Sequence, residues 1–270
     1  MNIFVYYKRI IFKLSRLFTG PNINLLKELS YAKFKATDHN SILGILWSFI
    51  NPVVMVIVLY LIFKKNFGQN IEAYPLYLLS GTICVNFFIN TTNHMVKLFS
   101  ANREMILNST ISREILILSD IFIPAYKFII EIIFCLVLSV FYNVFSIKII
   151  FLLFPLLFSY MLFSLGVSMI LLLFYCFARD IEHIWMLISR LLLFITPVFY
   201  SLDKLSPSMQ KILYTANPLT SFLISFRDII MGRGNVDILN YVYSLSLGVV
   251  FLITGYLFFV SIENFAVEKA

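Results

Sequence analysis

Apolar residues in this chain fall into long blocks, separated by short charged or polar breaks. The clearest block runs from Phe151 to Phe177 without a single charge. A charged turn follows, Ala178-Arg179-Asp180-Ile181-Glu182-His183, and then a second block to Tyr200 with Pro197 near its end. Crossing the hydrocarbon core of a bilayer takes about 20 mainly apolar residues. By that measure the spans are 42–63 (interrupted by Asn51-Pro52), 75–96, 115–142, 149–177, 184–200 and 241–262. Segment 201–237 begins polar and turns apolar around Phe222 to Phe226. It is too broken for a span and too apolar for a water-facing loop. The pattern predicts an all-α polytopic membrane protein: six transmembrane helices, with a re-entrant external hairpin before the last span.

The N-terminus follows a different rhythm. Ile3, Tyr7, Ile10, Ile11, Leu14, Leu17 and Phe18 recur at helical spacing, with Lys8, Arg9, Lys13 and Arg16 mostly off that stripe. A basic amphipathic helix of this kind suits the surface of an anionic leaflet. It lacks the unbroken apolar core and small-residue cleavage site of a signal peptide. Gly20-Pro21 breaks it, and Asn22 is placed to cap a second amphipathic helix with Leu25, Leu26, Leu29 and Ala32 on one face. Residues 1–36 are therefore predicted as cytoplasmic interface helices, 37–265 as the transmembrane domain and 266–270 as a cytoplasmic tail. The seven basic residues up to Lys35 hold the N-terminus in the cytoplasm. Six spans then return the C-terminus to the same side.

Composition supports this reading. The 270 residues are 60% hydrophobic and 13% charged, with a mean hydropathy of +0.91, where a soluble domain is about a quarter charged. The net charge of +7 is read as the positive-inside bias of a membrane protein, and no nucleic-acid partner is implied. Cys84, Cys135 and Cys176 all lie in apolar runs, without metal-ligand spacing. No P-loop, HExxH or Ser/His/Asp arrangement is visible, and His39, His94 and His183 stand apart. The predicted chain is not an enzyme and holds no cofactor or metal of its own.

Charges inside the spans are the exceptions that call for a role, because ionisable groups at membrane depth are costly and usually face protein or water. Asp120, Lys127 and Glu131, seven and four residues apart, share one helical stripe. They either border a translocation path or form a self-compensated Lys127–Glu131 pair, with Asp120 solvated near the cytoplasmic edge. Arg190 either pairs with Asp180 or Glu182, or meets an anionic head group of the inner leaflet. Asn102-Arg103-Glu104-Met105-Ile106-Leu107 is a short amphipathic piece suited to pressing into a groove on another subunit.

Several stretches together resemble the polysaccharide-export branch of the ABC-2 transport permeases. They are Leu26-Lys27-Glu28-Leu29, Lys33-Phe34-Lys35, Leu43 to Pro52, Tyr74 to Gly81, Phe87-Phe88, Ala178-Arg179-Asp180, Thr196 to Tyr200, Asn217-Pro218-Leu219 and Arg227-Asp228. The likeness covers about residues 22–265, and its specificity lies in the order of motifs. Asn86 stands where many relatives carry Trp, and Thr196 where Ser is common. The resemblance implies the same six-span fold, a homodimer with two ATP-hydrolysing ABC subunits carrying ATP-Mg, and a glycan on an undecaprenyl pyrophosphate carrier as substrate. It implies ATPase coupling through Lys27, Lys33, Asn102, Arg103, Glu104, Ile106, Arg179 and Asp180. Cations for the pyrophosphate would be Lys33, Lys35 and Arg190. A sugar polymer that slides wants tolerant aromatic walls, which makes Phe87, Phe88, Phe199 and Tyr200 channel-lining candidates; the alternative for these rings is an ordinary interfacial belt.

The expectation is thus the permease half of an ATP-driven exporter in the bacterial cytoplasmic membrane, for O-antigen, capsule or teichoic acid. The alternatives are an ABC-2 permease for a drug or lipid, and a membrane enzyme of glycan synthesis. The enzyme would be expected to show an acidic catalytic cluster, which the longest external segment lacks.

Overall fold

The computed structural model describes residues 19–38, 46–67, 71–108, 111–231 and 236–269. Every regular element among them is helical: α1 (Gly20–Asp38), α2 (Trp47–Phe67), α3 (Tyr74–Val96), α4 (Leu98–Ala101), α5 (Arg103–Asn108), α6 (Arg113–Phe141), α7 (Lys148–Phe177), α8 (Ile181–Ile195), α9 (Pro207–Ala216), α10 (Pro218–Ile230) and α11 (Ile238–Lys269). Among the described residues, three helices are long and apolar enough to cross a membrane: Arg113–Phe141, Lys148–Phe177 and Ile238–Ile262. The amphipathic stripe expected over residues 3–18 and the start of the expected first span lie outside the described residues.

The second, third, fourth and sixth expected spans coincide with α3, α6, α7 and the body of α11. The turn expected at 143–148 is real. Asn143 closes α6 with a left-handed φ of 54°, and the Val144 amide reaches back to the Ser139 carbonyl at 3.0 Å, a C-terminal cap that short polar residues such as Asn tolerate. The expected start of the second amphipathic helix, after an Asn22 cap, moves three residues earlier: α1 begins at Gly20, because Pro21 in a first helical turn lacks only an amide that would be unbonded there anyway.

The expected span over 184–200 is helical only to Ile195. Pro197 cannot continue a helix and forces its predecessor extended, and Thr196 adopts ψ 139°. Fifteen residues rise about 22 Å, short of a bilayer core about 30 Å thick, and the backbone from Thr196 to Tyr200 is irregular. The segment after it holds two further helices. Ser206 caps α9, accepting from the Met209 amide at 3.5 Å, and Asn217 caps α10, accepting from the Leu219 amide at 3.2 Å; each cap is followed by proline at the first helical position.

Two seams hold the bundle. Helices α7 and α11 pack most extensively, with Gly166 against the Phe251 carbonyl and Gly255 against Gly166 itself. A Cβ at Gly166 would overlap that carbonyl, so the backbones touch only because both helices present small residues, as membrane helix pairs do. The second seam is aromatic. Tyr160 lies beside Phe87, Phe163 and Phe222, and its hydroxyl donates to the Cys84 carbonyl at 2.7 Å. Around these rings α10 is buried against α3, α7 and α11. It is tied to α11 by Ser221 donating to Asn240 Oδ1 at 2.6 Å and Asn240 Nδ2 donating to Ser225 at 2.9 Å. The three cysteines are free and buried.

Candidate functional site

At one end of the bundle α1 lies against α6. Lys33 forms an ion pair with Asp120 and donates to Ser119 Oγ at 2.9 Å. His94 Nε2 from α3 meets the other Asp120 oxygen at 3.2 Å. The Phe34 ring meets Tyr126 edge-on, 4.9 Å between centroids. Asp120 is only 4% exposed, which corrects the expectation that it is solvated at the membrane edge. It joins three helices, and its two partners are 87 and 26 residues away, too far for helical spacing to reveal. Lys33 is therefore committed within the chain, whereas Lys27 and Lys35 are exposed.

The same end carries an elbow. Leu98 and Phe99 of α4 are buried in the core, and the Asn102 amide donates to the Leu98 carbonyl at 2.8 Å. Beyond it Ile106 is half-buried, while Arg103 and Glu104 face outward. Arg179 and Asp180, in the turn before α8, are exposed too. Helix α8 is bound to α3 by polar ties at 3.0–3.2 Å: Lys97–Glu182, Trp185 Nε1 to Thr92, and Asn93 to Ser189. Otherwise it is open, with Ser189 its one buried residue. Arg190 projects from this apolar surface, its guanidinium 3.7 Å from the Met186 sulfur. The expected pairing of Arg190 with Asp180 or Glu182 does not form, since Glu182 is taken by Lys97.

At the opposite end the irregular stretch after α8 becomes intelligible. Thr196, Val198 and Phe199 are buried, and unpaired backbone groups at membrane depth are prohibitively costly unless protein satisfies them. Each carbonyl has a donor. Thr196 O accepts from the Val198 amide at 2.6 Å. Pro197 O and Val198 O each accept from Arg227 at 2.6 Å. Phe199 O accepts from the Tyr74 hydroxyl at 3.0 Å, and Tyr200 O from the Tyr77 hydroxyl at 2.8 Å. Arg227 also donates to the Tyr77 carbonyl at 3.1 Å, and its guanidinium lies 3.4 Å from the Tyr77 ring centroid. Gly81 leaves room for it: a Cβ there would stand 2.5 Å from Arg227 Nη2. Asn217 Nδ2 completes the arrangement on Thr196 Oγ1 at 2.9 Å. One buried arginine from α10 thus fastens the broken end of α8 to α3.

Beside this clamp is a cavity of about 530 Å³, lined by Tyr77, Asp203, Lys204, Tyr214, Arg227 and Asp228 among others. Burial raises the Tyr214 phenol above its ordinary range, reinforced by the carboxylates of Asp228, Asp237 and Asp203.

The four channel-lining candidates separate. Phe87 stacks on Phe128 at 4.1 Å and Phe88 on Phe163 at 5.4 Å, both inside the bundle. Phe199 is buried and stacked on Phe63 at 4.9 Å. Tyr200 alone is half-exposed, its hydroxyl donating to the Ile195 carbonyl at 3.1 Å. Arg227, Tyr74 and Tyr77 are structural centres that the sequence offered only as parts of motifs, and Asp120 is tied to Lys33 and His94 rather than to solvent.

Residues 24–231 match the family described as ABC-2 type transporter. An O-antigen export system permease protein RfbA of Klebsiella pneumoniae is 27% identical over 244 residues, covering 87% of this chain and 91% of that protein. Another from the same organism is 26% identical over 231 residues, 83% of this chain and 85% of the relative. One from Myxococcus xanthus is 27% identical over 207 residues, 76% and 79% of the two chains. The matched region runs from α1 through the clamped end of α8 to the close of α10, and the chain belongs to the ABC-2 type transporter family.

Proposed function

We propose that this chain is the membrane-spanning subunit of an ATP-driven exporter that carries lipid-linked polysaccharide across the bacterial cytoplasmic membrane. The observation that carries this reading is similarity to O-antigen export permeases along 87% of the chain. In the proposed arrangement α2, α3, α6, α7, α8 with its clamped extension, and α11 are the six spans. Helices α9 and α10 form the re-entrant hairpin on the external side, and both termini are cytoplasmic. ATP-Mg binds and is hydrolysed on two separate ABC subunits.

Physical features support the partner faces. Arg103 and Glu104 stand out from an elbow anchored by Leu98 and Phe99, so a push on the elbow reaches the core rather than bending a loop. Together with Asn102, Ile106, Lys27, Arg179 and Asp180 they form the ATPase contact. Lys33, tied to Asp120, passes movement of α1 to α6 and α3. We assign the second copy of this chain to the open apolar face of α8, where Arg190 otherwise meets lipid. Lys35 and Arg190 are the cations for the undecaprenyl pyrophosphate head, since Lys33 is occupied.

The assembly is testable by native mass spectrometry of the affinity-tagged chain, purified in mild detergent with its neighbours co-expressed. Two copies with two P-loop ATPase subunits are expected. A monomer, or a complex without any ATPase, would overturn the exporter reading.

A further inference from the structure

Three helices each turn one regular stripe towards a shared polar groove. Helix α2 gives Trp47 and Asn51, four residues apart; α3 gives Asn86, Asn90 and His94 at the same interval; α6 gives Lys127 and Glu131, four apart again. A spacing of four keeps side chains on one face of a helix. The groove holds about 550 Å³, within the range of small-ligand pockets. It lies in the half of the bundle where α1 packs, away from the Arg227 clamp. Helix α3 is buried or half-buried along its length except at Asn90 and His94, where it is open to this space.

Apart from His94, which Asp120 holds, the polar groups here are not used by the fold. Among the described residues, Asn51, Asn86 and Asn90 make no side-chain hydrogen bond, and Lys127 and Glu131, neighbours on one stripe, do not close to a contact ion pair. Elsewhere in the bundle serine and threonine hydroxyls are spent on nearby carbonyls, as Thr91 is on Phe87 at 2.7 Å and Ser168 on Ser164 at 2.7 Å. Polar side chains at membrane depth are rare, and mark pathways or ligand sites when they face a cavity. Three idle amides on converging stripes are such a mark.

Their chemistry selects the ligand class. An amide donates and accepts at once, as a sugar hydroxyl does. Glu131 adds acceptors and Lys127 donors, while Trp47, about half-exposed, offers a flat ring to a sugar face. A phosphate site would instead concentrate cations. Here Lys127 is balanced by Glu131, and His94 is already engaged by Asp120. We infer that the groove between α2, α3 and α6 is a docking site for an uncharged saccharide segment, held within one copy of the chain before the glycan crosses. This rests on the exporter reading above and names the part of the substrate that the site holds.

The test uses the full complex with its ATPase in lipid nanodiscs, and Asn86→Leu with Asn90→Leu in the permease. Leucine is more at home in a membrane helix than asparagine, so insertion is not endangered. The probe is an end-labelled oligosaccharide released from the host's own surface polysaccharide, followed by fluorescence anisotropy, with inorganic pyrophosphate as competitor. Saturable binding that pyrophosphate does not displace, and that weakens about tenfold in the double variant for the loss of two hydrogen-bonding side chains, is the expected result. Unchanged affinity in the double variant, displacement by pyrophosphate, or no saccharide binding would overturn the assignment. Complementation of a deletion strain separates this failure from failure of the exporter reading. Surface glycan that survives the deletion itself sinks the exporter. Glycan lost on deletion and fully restored by the double variant sinks only the groove.

Discussion

Arg227→Lys keeps the positive charge and removes the geometry that the clamp depends on. Arg227 reaches three backbone carbonyls at 2.6, 2.6 and 3.1 Å and lies flat on Tyr77. An ammonium on a flexible stem can retain one of these carbonyls and cannot present a planar fork. Two charge-assisted bonds at about 1.5 kcal/mol or more each, with about 1–2 kcal/mol for the stacked plane, put the loss at roughly 4–5 kcal/mol. Because the clamp joins one stretch to one helix, that loss falls on local opening of residues 192–200 before it falls on the whole bundle. Hydrogen exchange by mass spectrometry on the protein in nanodiscs reads it directly: amides of the peptide covering 192–200 are expected to exchange about a thousandfold faster. Tyr77→Phe is the internal scale. It keeps the ring and loses only the bond to the Tyr200 carbonyl at 2.8 Å, worth about 1 kcal/mol and so about fivefold in exchange. Wild-type protection in Arg227→Lys would refute the clamp, as would equal effects of the two substitutions.

Gly166→Val drives two methyl groups and a Cβ into the Phe251 carbonyl, and the α7–α11 seam is expected to lose about 3 kcal/mol or more, seen as a lower thermal midpoint in detergent; an unchanged midpoint contradicts the packing. Asp120→Asn leaves Lys33 and His94 facing a neutral amide. Losing one partner of a buried ion pair costs about 3–5 kcal/mol as an upper bound, and the partial exposure of Lys33 lowers it. Export should fall while basal ATP hydrolysis by the complex persists, and full export would remove Asp120 from the coupling path. Charge reversal at Arg103 and Glu104 together should uncouple hydrolysis from export with the protein still in the membrane; unchanged export would end the assignment of the elbow.

What the sequence disclosed, and what it withheld, follows from the range of each interaction. Helices α6, α7 and α11 were legible because a helix of membrane length writes a continuous apolar run, and the helix break at Pro197 is covalent chemistry. Segment 201–237 was read as a re-entrant hairpin without its helices being placed, although Ser206-Pro207 and Asn217-Pro218 each carry the signature of a capped helix start. Arg227 was noticed only as part of a motif, and its clamping role was hidden because its partners are backbone carbonyls, which carry no letter of their own. Asp120 was assigned to solvent because Lys33 and His94 reach it from other helices. Phe87 and Phe88 were candidates for a channel wall or an interfacial belt; both rings are buried in the bundle, and Phe87 also lines the α2–α3–α6 groove. The idle asparagines show the converse: their sequence spacing was visible, but only the arrangement of three helices reveals that the stripes converge.

The central claim is tested most directly by finding where the glycan goes when the chain is removed. The gene is deleted, and lipid-linked polysaccharide is located in intact and lysed cells by an impermeant glycan-binding probe. Polymer that is built but reachable only after lysis, with export restored by the intact gene, is the predicted result. Normal surface glycan in the deletion strain would contradict the account, and polymer absent from both sides would point to an enzyme of its synthesis instead.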